Sequence, residues 1–160
     1  AGPNKGSRIV MPVQTNQIQN TGLQVASGLF AQRSNHHGVK YMAVGTGQVS
    51  WDTVAPTQLT SATTLETEIY RKEVFAGDMG YVAADLAVGS ALVTGPTSKI
   101  QITVTLETSQ GNGALREFAL FGGNVTSTAD SGLMINWVVH SLITKDATLS
   151  LTRIIEIEFQ

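Results

Sequence analysis

Three groupings in this sequence carry side chains of the kinds that do chemistry. They are Gly45-Thr46-Gly47, the adjacent pair His36-His37, and Glu66, Glu68 and Glu73 interleaved with Arg71 and Lys72. A glycine turn cradles phosphate when it opens a helix and a Gly-Lys-Ser/Thr follows. No such triplet follows Gly47, so a tight turn after a strand is expected there. Adjacent histidines rarely converge on one ion and no third ligand accompanies them, which leaves His36-His37 as a solvated turn. Paired glutamates can hydrolyse a glycosidic bond if they flank it, but no aromatic sugar platform stands beside these. No Gly-x-Ser-x-Gly elbow exposes a serine nucleophile. His140 lies opposite Trp137 in a strand and reads as a partly buried structural histidine. Asn124-Val125-Thr126 has the form of a glycosylation sequon and is read as chance.

The composition agrees with a chain that works without a reactive centre. Charged residues make up 14% of the 160 residues, against roughly 25% in soluble domains. A surface so poor in charge repels its neighbours weakly, as suits an assembled subunit. The net charge of -2 offers no general attraction to nucleic acid or to an anionic membrane. Cysteine is absent, which excludes disulfides and thiolate metal sites. No stretch approaches the roughly 20 apolar residues of a membrane helix, and residues 1–10 lack the apolar run of a signal peptide. Neither a metal nor a cofactor is expected.

The elements that must position these residues are mainly strands. Residues 1–15, with Gly2, Pro3, Gly6 and Pro12 around Ile9, Val10, Met11 and Val13, read as an extended N-terminal arm that pairs with the domain or reaches a neighbour. Residues 16–160 read as one β-rich domain. Its helix is expected over 16–33, capped by Asn16, with Ile18, Leu23, Ala26, Leu29, Phe30 and Arg33 along one stripe. Val39–Val44 is a short apolar strand, and 48–64 suits an exposed loop. Glu66–Phe75 and Tyr81–Val88 are weaker strands. Lys99–Glu107 alternates cleanly, with Ile100, Ile102, Val104 and Leu106 on one face. Gly111-Asn112-Gly113 marks a turn before Ala114–Phe121. Leu133–Thr144 follows, and the last strand sets Leu149, Leu151, Ile155, Ile157 and Phe159 on one side. Arg153 interrupts that apolar face and needs a carboxylate such as Glu117, or an exit to solvent. The fold class is an antiparallel β-sandwich-like domain with one N-terminal helix and an extended arm.

Four pieces in order carry a resemblance. They are Asn20-Thr21-Gly22-Leu23 through Leu29, Tyr41-Met42-Ala43-Val44-Gly45-Thr46-Gly47, Leu65-Glu66-Thr67-Glu68-Ile69-Tyr70-Arg71-Lys72, and Arg116-Glu117-Phe118-Ala119-Leu120-Phe121-Gly122. With the Trp137 strand and the closing alternating strand, the chain resembles virion proteins of tailed bacteriophages over residues 16–159. It is similar to the N-terminal attachment domain of tail-collar fibre proteins and to small phage tail proteins. The resemblance implies a non-catalytic, oligomeric part of a virus particle, assembled in the bacterial host cytoplasm. Because the sequence stops at Gln160 without a shaft or tip, a tail, baseplate or fibre-connector role is expected over host recognition.

Partners are then other virion proteins and further copies of the chain, with no nucleic acid, membrane or host glycan among them. Ile9, Val10, Met11, Val13, Trp51, Glu68, Arg71, Arg116 and Glu117 are the expected subunit contacts. Terminal arms and charged strand faces set register between docked subunits. Two alternatives stand beside this reading. A capsid decoration (cement) protein would share the charge-poor β-rich composition. A carbohydrate-binding β-sandwich would need exposed aromatics, for which only Trp51, near Asp52, is suited.

Overall fold

Alternating apolar residues draw the chain into two sheets that close on one another. The computed structural model describes residues 7–10, 17–83, 87 and 89–159. The described strands are β1 (Ser7–Val10), β2 (Gln17–Ile18), β3 (His37–Gly45), β4 (Glu68–Glu73), β5 (Met79–Tyr81), β6 (Lys99–Leu106), β7 (Gly113–Gly123), β8 (Leu133–Met134), β9 (Asn136–Lys145) and β10 (Leu149–Glu158). The smaller sheet runs β1-β10-β6-β5 and the larger β2-β9-β7-β3-β4, with β8 also on β7. All pairings are antiparallel except β1 on β10. The fold is therefore mainly β, antiparallel and sandwich-like, with one α-helix among the described residues, as the patterning predicts.

Between the sheets, Met42, Val44, Leu115, Phe118, Leu120 and Val138 meet Ile102, Val104, Leu106, Leu151, Ile155 and Ile157. Each such side chain contributes roughly 1.5–3 kcal/mol before chain entropy is subtracted. The larger sheet is covered on its other face too. There Ala43, Ala119, Phe121, Met134 and Trp137 pack under Leu65, Ala62 and Val125, which come from loops. A strand buried on both faces reads as a continuous apolar run, and Phe118-Ala119-Leu120-Phe121 in β7 is that run. The 48–64 segment is thus a cover as well as a loop.

One expected turn gains a role, and two strand expectations are corrected in detail. The Gly111-Asn112-Gly113 turn carries the chain from β6 in one sheet to β7 in the other. The Lys145 ammonium braces this corner, donating to Glu107 O at 2.7 Å and Asn112 Oδ1 at 2.8 Å. The expected Leu133–Thr144 strand breaks at Ile135, where the Asn136 side chain takes the ladder position and accepts the Leu120 N–H at 2.7 Å. Phe159 lies past the end of β10 and is exposed, because the inward-facing row ends at Ile157.

The helix, α1 (Asn20–Phe30), is shorter than the expected 16–33 and starts after Gln19, not at Asn16. The Gln19 amide instead donates to Leu59 O at 2.8 Å and Ala62 O at 3.0 Å, tying the cover loop down. Its packed side is Gly22 and Val25. A Cβ at Gly22 would lie 2.5 Å from Ile135 O, so glycine is what lets the helix lie on the β8–β9 break. Leu23 and Phe30 face out. Of the arm, Ser7–Val10 pairs with Leu149–Thr152, with Ile9 opposite Leu151. Met11 and Val13 lie outside the described residues, as do 84–86 and 88 of the weak Tyr81–Val88 strand.

Candidate functional site

The densest set of functional side chains lies on the outer face of the larger sheet, under the cover loops. Glu117 sits on β7, fully buried, and its carboxylate accepts three hydrogen bonds. The Thr67 N–H donates to Oε1 at 2.9 Å, while the Glu66 N–H and Trp137 Nε1–H donate to Oε2 at 3.1 and 3.0 Å. Both oxygens of this buried side chain are thereby satisfied. The Gly-Thr-Gly turn is shaped around it: a Cβ at Gly45 would lie 2.5 Å from Glu117 Oε1. Gly47 has φ +56, and the Trp51 ring covers it. Trp51 packs edge-on against Trp137 with centroids 6.3 Å apart.

Arg116 and Arg71 hold the flanking loops. The Arg116 fork donates to Asp52 Oδ1 and Oδ2 at 2.8 and 2.9 Å and to Thr46 O at 3.0 Å. The guanidinium holds the Asp52 carboxyl below its ordinary value. Arg71 grips Glu68 through both carboxylate oxygens at 2.7 and 2.8 Å, with side chains only 4% and 2% exposed. Its Nη1 reaches Thr126 O and Ser131 O at 2.9 and 3.2 Å, and the group stacks 4.7 Å from the Phe121 ring. Lys72 points the other way and bonds to Thr105 O and Gln110 Oε1, bridging β4 to the β6 side of the sandwich.

Of the residues singled out as subunit contacts, the structure brings Trp51, Glu68, Arg71, Arg116 and Glu117 to this one face. It turns them inward, each engaged within its own chain. Spaced charges on strands look alike whether they point to solvent or under a loop, and loop cover is set by tertiary packing. Trp51, half-buried on Trp137, presents no free platform for a sugar.

Arg153 has neither the carboxylate nor the exit expected of it. Glu117 is on the far face of the larger sheet. The Arg153 guanidinium stacks 3.9 Å over the Phe118 ring and its Nη2 donates to His140 Nε2 at 2.8 Å, while Nε has no partner. Burial pushes Arg153 down to about 9. The other His140 nitrogen, Nδ1, lies 2.8 Å from Ser141 O, which fixes the neutral tautomer with its proton on Nδ1. Burial, and then the adjacent Arg153 charge, push His140 down to about 4. This pair is a structural device of the core. His36 is likewise structural, since its Nε2 lies 2.9 Å from Val25 O midway along α1.

Sequence reasoning assigned Leu23, Leu29 and Phe30 to a packed stripe, yet they are exposed. The available signal was charge: none occurs between Arg8 and Arg33. Among the described residues no cluster of three or more His, Asp or Glu could hold a metal. No described helix is long and apolar enough to cross a membrane. No protein-family model and no curated protein matches the chain.

Proposed function

We propose that this chain is a structural component of a bacteriophage particle, in the tail, baseplate or fibre connector, acting by oligomerising and docking to other virion proteins. The observation that carries the reading is where its few charges go. Glu68, Arg71, Arg116, Glu117, Lys145 and Arg153 are spent inside the fold, while Leu23, Phe30, Phe75, Leu92 and Phe159 are left in the open. Exposed large apolar side chains on a sparsely charged surface mark contact surfaces. The four sequence pieces similar to phage tail proteins supply the kind of particle. The mechanism is surface complementarity, and the reading assigns no catalytic step to the chain.

The test is a quantitative proteomic and cryo-electron-microscopic examination of purified particles from a host expressing the chain. A fixed copy number per particle, with density for this sandwich beside the tail, is expected. Absence from mature particles would refute the proposal, and density spread over the capsid shell would favour the decoration reading.

A further inference from the structure

The outward side of α1 carries more than exposure. A groove of about 300 Å³ runs between α1 and the end of the smaller sheet, walled by Leu23, Ala26 and Leu29 on the helix, Ile100 and Ile157 on the strands, and Phe159 just past β10. Leu23, Phe30 and Phe159 are 65%, 89% and 57% exposed. Leu23 and Phe30 are two helical turns apart and so lie on one side of α1. The face therefore offers both a recess and a free aromatic side chain to fill one.

We infer that this face is a two-fold contact with a second copy of the same chain, α1 against α1, with Phe30 of each copy seated in the groove of the other. In a two-fold contact every surface meets itself, so a charged centre would repel its own copy. This centre has no charge, since α1 carries no Asp, Glu, Lys or Arg. The flanking charges have both signs: Arg33 follows the helix and Glu158 lies on the groove wall. Two copies related by a two-fold axis can set Arg33 of one against Glu158 of the other. Nucleic acid would need a basic face, and a different protein would not require knob and recess on one surface. The inference rests on the assembly reading above and names its surface.

The experiment is sedimentation velocity over a concentration series on the full chain. The variants are Phe30→Asp, Leu23→Asp, Arg33→Glu, Glu158→Arg and the Arg33→Glu/Glu158→Arg double. The wild type should self-associate. Phe30→Asp should weaken that association roughly 30-fold or more, as expected for an aromatic anchor at an interface centre. Its melting should be nearly unchanged, because Phe30 is 89% exposed. Each charge reversal alone should weaken association, and the double should restore it. Association unaltered by Phe30→Asp and Leu23→Asp would overturn the inference while leaving assembly through another surface intact. A monomeric wild type still found in particles would overturn it in favour of a different virion protein on this face. Absence from particles would instead refute the proposed function.

Discussion

Acid should loosen this sandwich through one histidine. His140 is held neutral down to about 4, against an ordinary value of 6.5. Protonating Nε2 would replace an accepted hydrogen bond with two cations facing each other in the core, at the Arg153 contact. The unfolded chain has no such obstacle and binds its proton near the ordinary value. Stability from this group is therefore complete above the unfolded value and is lost as pH falls through the window down to about 4. Below that the loss is constant. The full difference corresponds to about 3 kcal/mol, and about 2 kcal/mol of it falls between pH 7 and 5. For a chain of this size that moves a urea midpoint by ~1 M. The measurement is urea unfolding at several pH values on wild type and on His140→Gln, whose amide oxygen can still accept from Arg153 but cannot titrate. Asp52 and Asp146 are both held below 3.8, so they titrate under this window. The wild type should lose stability from pH 7 to 5 and the variant should be nearly flat. Equal slopes, or an NMR titration of His140 with an ordinary midpoint, would refute the reasoning.

Three other perturbations test the packing. Glu117→Gln replaces one accepting oxygen by an NH₂, which then faces at least one of the three N–H donors, and should cost about 2–3 kcal/mol with a change in Trp137 fluorescence. A cost under about 0.5 kcal/mol would mean the carboxylate does not organise the cover loop. Gly22→Ala should destabilise by about 1–3 kcal/mol through its clash with Ile135 O, although helix propensity alone favours alanine by about 1 kcal/mol. A rise in the melting temperature would show that α1 can shift. Ile102→Asp should abolish cooperative unfolding while Thr103→Asp remains mild, since Ile102 is buried between the sheets; similar effects would contradict the β6 register.

What could be read in advance follows from the range of the forces involved. Period-two alternation in Lys99–Glu107 and in the last strand is local, and it gave strand identity and inward face correctly through Ile157. The helix boundaries were misplaced because the stripe count included Ile18, which belongs to β2, and Arg33, which lies past the end. Helix propensity counts Gly22 as a cost, yet it is a fitted contact, since the backbone it approaches at Ile135 is over a hundred residues away in sequence. The charged group around Glu68 and Arg71 was legible as a cluster. Its direction was not, because it depends on loops 46–67 and 124–132 folding over the sheet. Arg153 was flagged as an anomaly, but a neutral imidazole and a phenyl ring as its neighbours leave no mark in sequence spacing.

The placement of β10 bears on how the molecule is made. The strand β10, which follows every other described strand in the sequence, is an interior member of its sheet, and among the described strands β1 pairs with β10 alone. Until β10 has been translated, the Ile102-Val104-Leu106 row has no flanking neighbour on that side and the facing apolar surfaces are incompletely covered. Closure of the sandwich is thus tied to the arrival of β10, and fragments released before it, through stalling or a nonsense codon, would expose sticky ladder edges and be drawn into aggregates or degraded.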